Sequence, residues 1–388
     1  MSVKGTNTVA CETVECTDLS KRKACLVKNA ESSFRPFYVA LMEGSAAQPK
    51  VYRLIIRTLA LGFGPYAVWL ILLAVSGEIN ALSRLWYVMF MPAIILAGLS
   101  LLHQAYYLVA NPRSMQSLLD GICDEQGLDA FVGGLERMFT SPWQRLFVLV
   151  FASAGTANAV LFFRAYPAMA HGLPVYLVAW LWLYIFYAAF LVGAGVWLAA
   201  TSLAWVYAYT STKCIKVQGL HPRRHAGLKV LASVIGTYSL SFSLETSLTL
   251  SAFFSFDWDP HKGSALIHLV RKLWLCVFVP FIVTYFVYPQ YRIGRIIRES
   301  KEMLLDDIES KMNALYFAGK EHDVDTVERI LRYAELRDKL QAERSHVWDI
   351  SAIYRFCSAI FLPAVVFVLQ NPQPAKTFWD HIRGLFGR

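Results

Sequence analysis

The stretch VYLVAWLWLYIFYAAFLVGAGVWLAATSLAWVYAY, residues 175–209, contains no Asp, Glu, Lys, Arg or His. A helix needs about 20 apolar residues to cross the roughly 30 Å hydrocarbon layer of a bilayer. As a helix this stretch would measure roughly 52 Å, which is more than the hydrocarbon layer requires. It therefore predicts a membrane-spanning helix, which either tilts strongly or, in the interpretation that we favour, continues into the cytoplasm as a helical stalk.

Composition extends this prediction to the whole chain. Of its 388 residues, 56% are hydrophobic and 17% are charged, whereas soluble domains carry about 25% charged residues. We therefore predict an all-α fold, a polytopic helical membrane protein with about seven transmembrane helices. The spans are predicted at 54–75, 85–109, 146–163, 175–209, 229–256, 273–291 and 351–370.

The distribution of Lys and Arg predicts the orientation of these spans. With the N-terminus in the cytoplasm, 29 of the 37 basic residues fall on the cytoplasmic side and 8 on the outer side. This is the bias of the positive-inside rule, and it places the C-terminus outside. We predict a multi-pass protein of the cell membrane (the inner membrane in a bacterium). The net charge of +9 then reflects this bias and contact with anionic lipid, so we predict no nucleic-acid partner.

Five regions follow from this layout. Residues 1–53 are a polar cytoplasmic tail, and 54–291 form a six-span bundle with cytoplasmic loops at 110–145 and 210–228. Apolar residues spaced by three and four across 292–350 predict a cytoplasmic helical hairpin, which precedes the last span, 351–370, and a short outer tail, 371–388. The hairpin is expected to assemble a homo-oligomer or to bind a cytoplasmic protein.

The loop 110–145 is predicted to form short amphipathic helices. Pro112 and Ser114 begin the first of them. Two interpretations stay open, a docking helix at the membrane interface or simple packing beneath the bundle. The apolar face comprises Leu118, Leu119, Ile122, Leu128, Phe131, Val132, Leu135 and Met138.

The fifth predicted span differs from the others because it carries a carboxyl group at its centre. Ionisable residues inside spans are costly and normally face a bundle interior or a watery cavity. If the segment is a helix, a polar stripe recurs every fourth residue; a β-strand would also explain the alternation at 237–251, but its edge would leave backbone groups without hydrogen bonds. Helix contacts explain most of the hydroxyl groups. The predicted polar site comprises Ser233, Thr237, Ser241, Glu245 and Thr249.

No residue pattern indicates catalysis, a cofactor or a metal. His221 and His225 have the spacing of one desaturase histidine box, but the further boxes that such a di-iron site needs are missing from the sequence. The seven cysteines form no C-x-x-C pair, which predicts reduced thiols. We therefore predict no resident cofactor and, most simply, a protein that is not an enzyme.

Three functions remain compatible with these features. The first is a channel or transporter with a polar path along span five, and the second is a membrane sensor or scaffold that recruits a cytoplasmic partner. The third is a lipid-acting enzyme that uses Glu245 or the His221/His225 loop. In topology alone, the layout resembles that of insect chemoreceptor ion channels. Their Thr-Tyr signature has no counterpart at Pro363-Ala364, and no function is carried over.

Overall fold

The chain is all-α in the part that the structure describes. The structure is a computed structural model, and it describes residues 19–34, 50–80, 88, 91–122, 124–165, 172–211, 228–254, 265–317, 324–342, 354, 357, 358 and 361. Of these residues, 93% are helical and none lies in a β-strand. The all-α part of the predicted fold class is therefore confirmed.

Ten α-helices follow one another within the described residues. They are α1 (Leu19–Ser33), α2 (Lys50–Val75), α3 (Met91–Ala110), α4 (Pro112–Asp120), α5 (Glu125–Phe139), α6 (Pro142–Ala165), α7 (Val175–Ser211), α8 (Leu228–Phe254), α9 (Ala265–Phe317) and α10 (Val324–Ala342). The predicted spans at 54–75, 146–163, 175–209 and 273–291 lie within α2, α6, α7 and α9. The span at 229–256 corresponds to α8, while α3 begins six residues after the predicted start at 85.

Three helical stretches among the described residues are long and apolar enough to cross a membrane. They are Arg57–Val75 in α2, Glu125–Leu161, which runs from α5 into α6 across the break at residues 140 and 141, and Val175–Ser211 in α7. Two shorter apolar helical segments occur at Met91–Tyr106 and Val230–Glu245. A helical membrane protein is the class that these lengths support. The count of seven and the orientation stay predictions, since most of 351–370 lies outside the described residues.

Helix α7 lies at the centre of the bundle, and α2, α3, α5, α6, α8 and α9 all pack against it. Small residues let its neighbours approach closely. A Cβ atom on Gly193 would lie 3.0 Å from the ring of Phe151 on α6. Nearer the start of α7, the indole N–H of Trp180 donates to the carbonyl of Pro65 in α2 at 3.0 Å. These contacts join α7 to both α6 and α2.

The amphipathic helices α4 and α5 pack beneath the bundle, against the end of α7 that finishes at Ser211. The Trp205 indole N–H donates to the carbonyl of Phe131 at 3.2 Å, and the Tyr209 hydroxyl donates to the carbonyl of Leu118 at 3.0 Å. Gly134 leaves room for Trp205, whose ring occupies the position that a Cβ atom would need. The predicted apolar face is thus buried in the protein, which favours packing over a docking role for that face.

Side-chain caps begin both of these helices, as expected for chain segments that start in a loop. The side chain of Asn111 accepts a hydrogen bond from the Arg113 N–H at 3.1 Å at the start of α4. The Asp124 carboxylate accepts from the Gly127 N–H at 2.6 Å at the start of α5. The predicted start of the first helix at Pro112 is therefore correct.

Helix α1 was not anticipated within the polar tail 1–53. Leu26, Ala30 and Phe34 are buried at a spacing of four residues, and the helix packs against α4 and α3. Arg22 of α1 donates to the Asp129 carboxylate at 2.8 Å, although this pair is exposed and its contribution to stability is small. The tail therefore contributes one docked helix to the fold.

Cysteine pairing also departs from the prediction. Cys25 of α1 is disulfide-bonded, whereas the spacing of the cysteines predicted reduced thiols. Such a pairing depends on tertiary proximity, which spacing along the chain does not reveal. Cys357 is a free thiol.

Helix α9 runs without interruption for 53 residues, through Pro280 and Pro289. Helix α10 packs back along α9, and Ile293, Ile297 and Ile308 of α9 are buried. Asp325 lies in the first turn of α10, where an acidic side chain interacts favourably with the helix dipole. The outer faces carry ion pairs at i,i+4 spacing; these are Arg295–Glu299, Asp307–Lys311, Glu328–Arg332 and Glu335–Lys339.

Candidate functional site

The candidate site lies on α8, which is a continuous α-helix across the stretch that alternates polar and apolar residues. The helix excludes the strand interpretation. It also places residues spaced by four on the same face, as the predicted polar stripe requires. One hydroxyl group serves the helix itself, because Ser239 donates to the carbonyl of Ile235 at 2.8 Å. Such a bond to the preceding turn is the ordinary role of a serine in a span.

The carboxyl group of Glu245 is buried where three helices meet. Its residue is 1% exposed, and α8 packs there against α3 and α7. A Cβ atom added to Gly98 of α3 would lie 2.7 Å from Oε1, and one added to Gly195 of α7 would lie 2.8 Å from Oε2. Each carboxyl oxygen therefore occupies space that a side chain would fill if either glycine were replaced. We call Gly98 and Gly195 the glycine cradle.

One leucine side chain lies beside each of the same two positions. The Cβ atom of Leu191 lies 3.4 Å from the added Cβ at Gly98, and Leu101 Cδ2 lies 3.3 Å from the added Cβ at Gly195. Neither α3 nor α7 contains an Asp, Glu, Lys or Arg residue. The one basic side chain on these two helices is His103 of α3.

A polar contact lies one helical turn away from Glu245 along α8. The Ser241 hydroxyl bonds the Gln104 side-chain oxygen on α3 at 3.0 Å, and the Gln104 amide donates to the Ser100 hydroxyl at 3.3 Å. Gln104 is half-buried and Ser100 is exposed. Since Glu245 lies beside Gly98 and Ser241 beside Gln104, α3 and α8 run antiparallel at this interface.

The structure describes the side chains of three of the five predicted site residues. Glu245 and Ser241 both face α3, and Thr237 is half-buried on the same helix. Ser233 and Thr249 lie on α8, but their side chains are outside the described residues. Of the basic residues on neighbouring helices, Arg57 is half-buried on α2, and the side chains of Arg271 and Lys272 on α9 are outside the described residues.

A second polar contact, which the sequence did not single out, joins α7 to α9. The hydroxyl groups of Ser202 and Tyr285 are 2.9 Å apart, and both residues are buried. Two turns further along α7, the Arg292 guanidinium donates to the Thr210 and Ser211 hydroxyls at 3.3 and 2.7 Å. Ser202 is one of the few serine and threonine residues in the long apolar sequence of α7. This scarcity of polar residues is the only sequence feature that could have indicated its role.

The described residues contain no group of three or more His, Cys, Asp and Glu side chains arranged for a metal ion. His221 and His225 lie outside the part of the chain that the structure describes. No protein-family model, curated protein or solved structure matches this chain. The class is therefore defined by the helices themselves: a helical membrane protein with a carboxyl group buried between three of its helices.

Proposed function

We propose that the protein is a channel or transporter of the cell membrane, with a polar path along α8 and Glu245 at its centre. The single observation that carries this proposal is the glycine cradle around a carboxyl group on an apolar helix. Ionisable groups between spans mark ion and substrate pathways, because a structural role alone rarely justifies the cost of burying them. The proposal includes the predicted seven spans with the N-terminus inside, and it assigns no catalytic residue.

The burial of Glu245 favours a transporter over a channel. The wall of an open pore would leave a carboxylate in contact with water, whereas Glu245 is 1% exposed. A site closed on all sides by packed helices is the occluded state of a carrier, in which access alternates as helices move against one another. The Ser241–Gln104–Ser100 contacts then lie on the route between the occluded site and the surface.

Reconstitution into liposomes tests this proposal. Vesicles that contain the purified protein are subjected in turn to gradients of K⁺, Na⁺, Cl⁻ and H⁺, and each flux is followed with an ion-sensitive dye. We expect wild-type protein to dissipate at least one gradient and Glu245→Gln to slow that flux by about tenfold or more, the effect of about 1.4 kcal/mol on the barrier. Glu309→Gln is the matched control, since Glu309 is an exposed carboxylate on α9.

Two outcomes would count against the proposal. Equal flux in wild type and Glu245→Gln would remove Glu245 from the path, although the protein would still transport. Absence of flux under every gradient would reject transport of these ions and would favour the second candidate function.

That second candidate is a membrane sensor or scaffold, and one observation favours it. Val324, Val327 and Leu331 form one stripe on α10, at a spacing of three and four residues, and they are 78%, 43% and 64% exposed. Exposed apolar stripes on helices are typical of interaction surfaces. In this alternative the stripe binds a second copy of the chain or a cytoplasmic protein. Val327→Asp with Leu331→Asp would then reduce the mass of the purified particle or abolish the capture of that protein, while flux stays absent.

A further inference from the structure

We propose that the ends of α7 and α9 bind the phosphate group of an anionic membrane lipid, through the Arg292 guanidinium and the Ser211 hydroxyl. The inference goes beyond the proposed function, because it adds a ligand and holds whether or not the protein transports ions. Position, donor chemistry and charge each support this assignment. We call Tyr207, Thr210, Ser211, Tyr291 and Arg292 the phosphate site.

The phosphate site lies where the apolar parts of both helices end. No charged residue lies between 273 and 291 on α9, and Arg292 is the first one after this stretch. Helix α7 carries no charged residue, and it ends at Ser211. Because Ser202 contacts Tyr285 and Ser211 contacts Arg292, the two helices run parallel. Their polar ends therefore lie at the same level.

The surface of the bundle beside this site is suited to lipid. On α7, Ala204, Tyr207 and Ser211 are exposed at a spacing of three and four residues. On α9, Val287 and Tyr291 are exposed at a spacing of four residues. Tyrosine is enriched where the hydrocarbon layer meets the head groups, so the two exposed tyrosines indicate the head-group level. In the predicted topology this level belongs to the cytoplasmic leaflet, which carries anionic lipids.

The hydrogen-bond donors of the site are those that a phosphate group accepts from. The Arg292 Nε donates to the Thr210 hydroxyl at 3.3 Å, and Nη2 donates to the Ser211 hydroxyl at 2.7 Å. The Arg292 Cζ atom lies 5.3 Å from the centroid of the Tyr207 ring, a cation–π contact. A guanidinium has more N–H groups than these two hydrogen bonds use. The guanidinium is therefore held in place with donors left for a ligand.

The two hydroxyl groups have different roles. Thr210 is buried and donates to the carbonyl of Val206 at 2.7 Å, so it positions Arg292 and has no second proton for a ligand. Ser211 is exposed at the end of α7. A hydroxyl group that accepts a hydrogen bond still has its own proton to donate. Ser211 can therefore donate to a phosphate oxygen while it accepts from Arg292.

Charge is the third argument. A cation at the edge of an apolar layer is costly unless an anion or hydrogen bonds compensate it. Within the part of the chain that the structure describes, the hydrogen bonds of Arg292 end on hydroxyl groups and not on a carboxylate. Arg295 differs, because Glu299 accepts from it at 2.6 Å. The charge of Arg292 is thus available to an external anion, and arginine commonly binds phosphate through two parallel hydrogen bonds.

Native mass spectrometry of the full chain in detergent tests the proposal without a transport assay. Phosphatidylglycerol is the anionic probe. Phosphatidylcholine is the comparison at equal concentration, since its ammonium group neutralises its phosphate. We expect wild-type protein to bind phosphatidylglycerol about tenfold more tightly than phosphatidylcholine, the effect of about 1.4 kcal/mol, and we expect Arg292→Gln to lose this preference.

Arg295→Gln is the matched control. It removes the same charge from the same helix, at a residue that already has Glu299 as its partner, and it should keep the preference. Arg292→Lys keeps the charge but lacks the planar fork, so it should keep only part of the preference. Ser211→Ala is the second variant if Arg292→Gln fails to fold, and it should weaken the binding of phosphatidylglycerol by about threefold, typical of one hydrogen bond.

Equal affinity of wild type for both lipids would overturn the proposal. Equal loss of the preference in Arg292→Gln and Arg295→Gln would do so too, since it would show a general attraction to a basic surface. An excess of inorganic phosphate separates the two sources of the phosphate group. If it displaces phosphatidylglycerol from wild type, the site binds soluble phosphate and the lipid is rejected, whereas phosphatidylglycerol that stays bound supports the lipid. Such binding in a protein without measurable flux would preserve the phosphate site and reject only the transport function.

Discussion

Gly98 and Gly195 decide whether the side chain of Glu245 fits between its neighbours. We predict that Gly98→Ala destabilises the protein by about 1–3 kcal/mol, the usual cost of excess volume in a packed core, because the new Cβ atom would lie 2.7 Å from Oε1. Thermal unfolding in detergent measures the change. Gly64→Ala on α2 is the matched control, since nothing lies within 4 Å of its added Cβ, and it should leave the stability equal or slightly higher.

A shorter acid at position 245 should relieve the same clash. Asp places its carboxyl group one methylene closer to the α8 backbone, so we predict that Glu245→Asp restores part of the stability lost in Gly98→Ala. The double variant would then be more stable than the sum of the two single changes implies, as contacting residues show in a double-mutant cycle. If the changes in unfolding free energy of the two single variants add up to the change in the double variant, the close contact between Gly98 and the Glu245 side chain is contradicted.

For individual residues, the sequence predicted Glu245 at the centre of the site, but it did not predict the two glycines that adjoin its carboxyl group. Glu245 was identifiable because a carboxyl group in an apolar helix is rare. Gly98 and Gly195 look like ordinary small residues of spans, and their importance depends on the register in which α3 and α7 pack against α8. Single-sequence patterns contain no information on that register, which side-chain packing determines.

Helix α5 is an element whose start depends on one side chain. We predict that Asp124→Ala destabilises α5 by about 1 kcal/mol, the typical contribution of a helix cap, because the carboxylate accepts from the Gly127 N–H at 2.6 Å. Hydrogen exchange of the amides in the first turn of α5 should become faster. Asp124→Asn should preserve the slow exchange, and equal exchange rates in all three proteins would show that the cap is dispensable.

The elements differ in how well their sequence predicted them. Helix α7 was predictable almost to the residue because nothing in it is charged, and α4 because Pro112 begins it. Helix α1 was missed, although Leu26, Ala30 and Phe34 recur every fourth residue, since Lys21, Arg22, Lys23 and Lys28 surround that narrow apolar stripe and give the segment a polar average. Its burial depends on a partner, α4, that the sequence of α1 does not identify.

For the whole molecule, orientation in the membrane is the property that most needs a measurement. We predict that Ser310→Cys on α9 reacts with a membrane-impermeant maleimide only in inside-out vesicles, and that Asn80→Cys, after α2, reacts only in right-side-out vesicles. Both positions are exposed, and the excess of Lys and Arg on one side predicts this difference. Labelling above that of the unsubstituted chain is the readout, and reaction of both variants from the same side would refute the predicted topology.

Helix α9 joins the membrane bundle to the far end of α10 as a single rod. The 26 residues from 292 to 317 extend about 39 Å along the helix axis, and Pro289 lies at the base of this arm. A tilt of about 10° at that base would therefore displace the tip near Phe317 by about 7 Å, a geometric consequence of the arm's length. A distance probe between Phe317 and the bundle would therefore detect a small tilt of α9 at Pro289 as a much larger displacement of the tip.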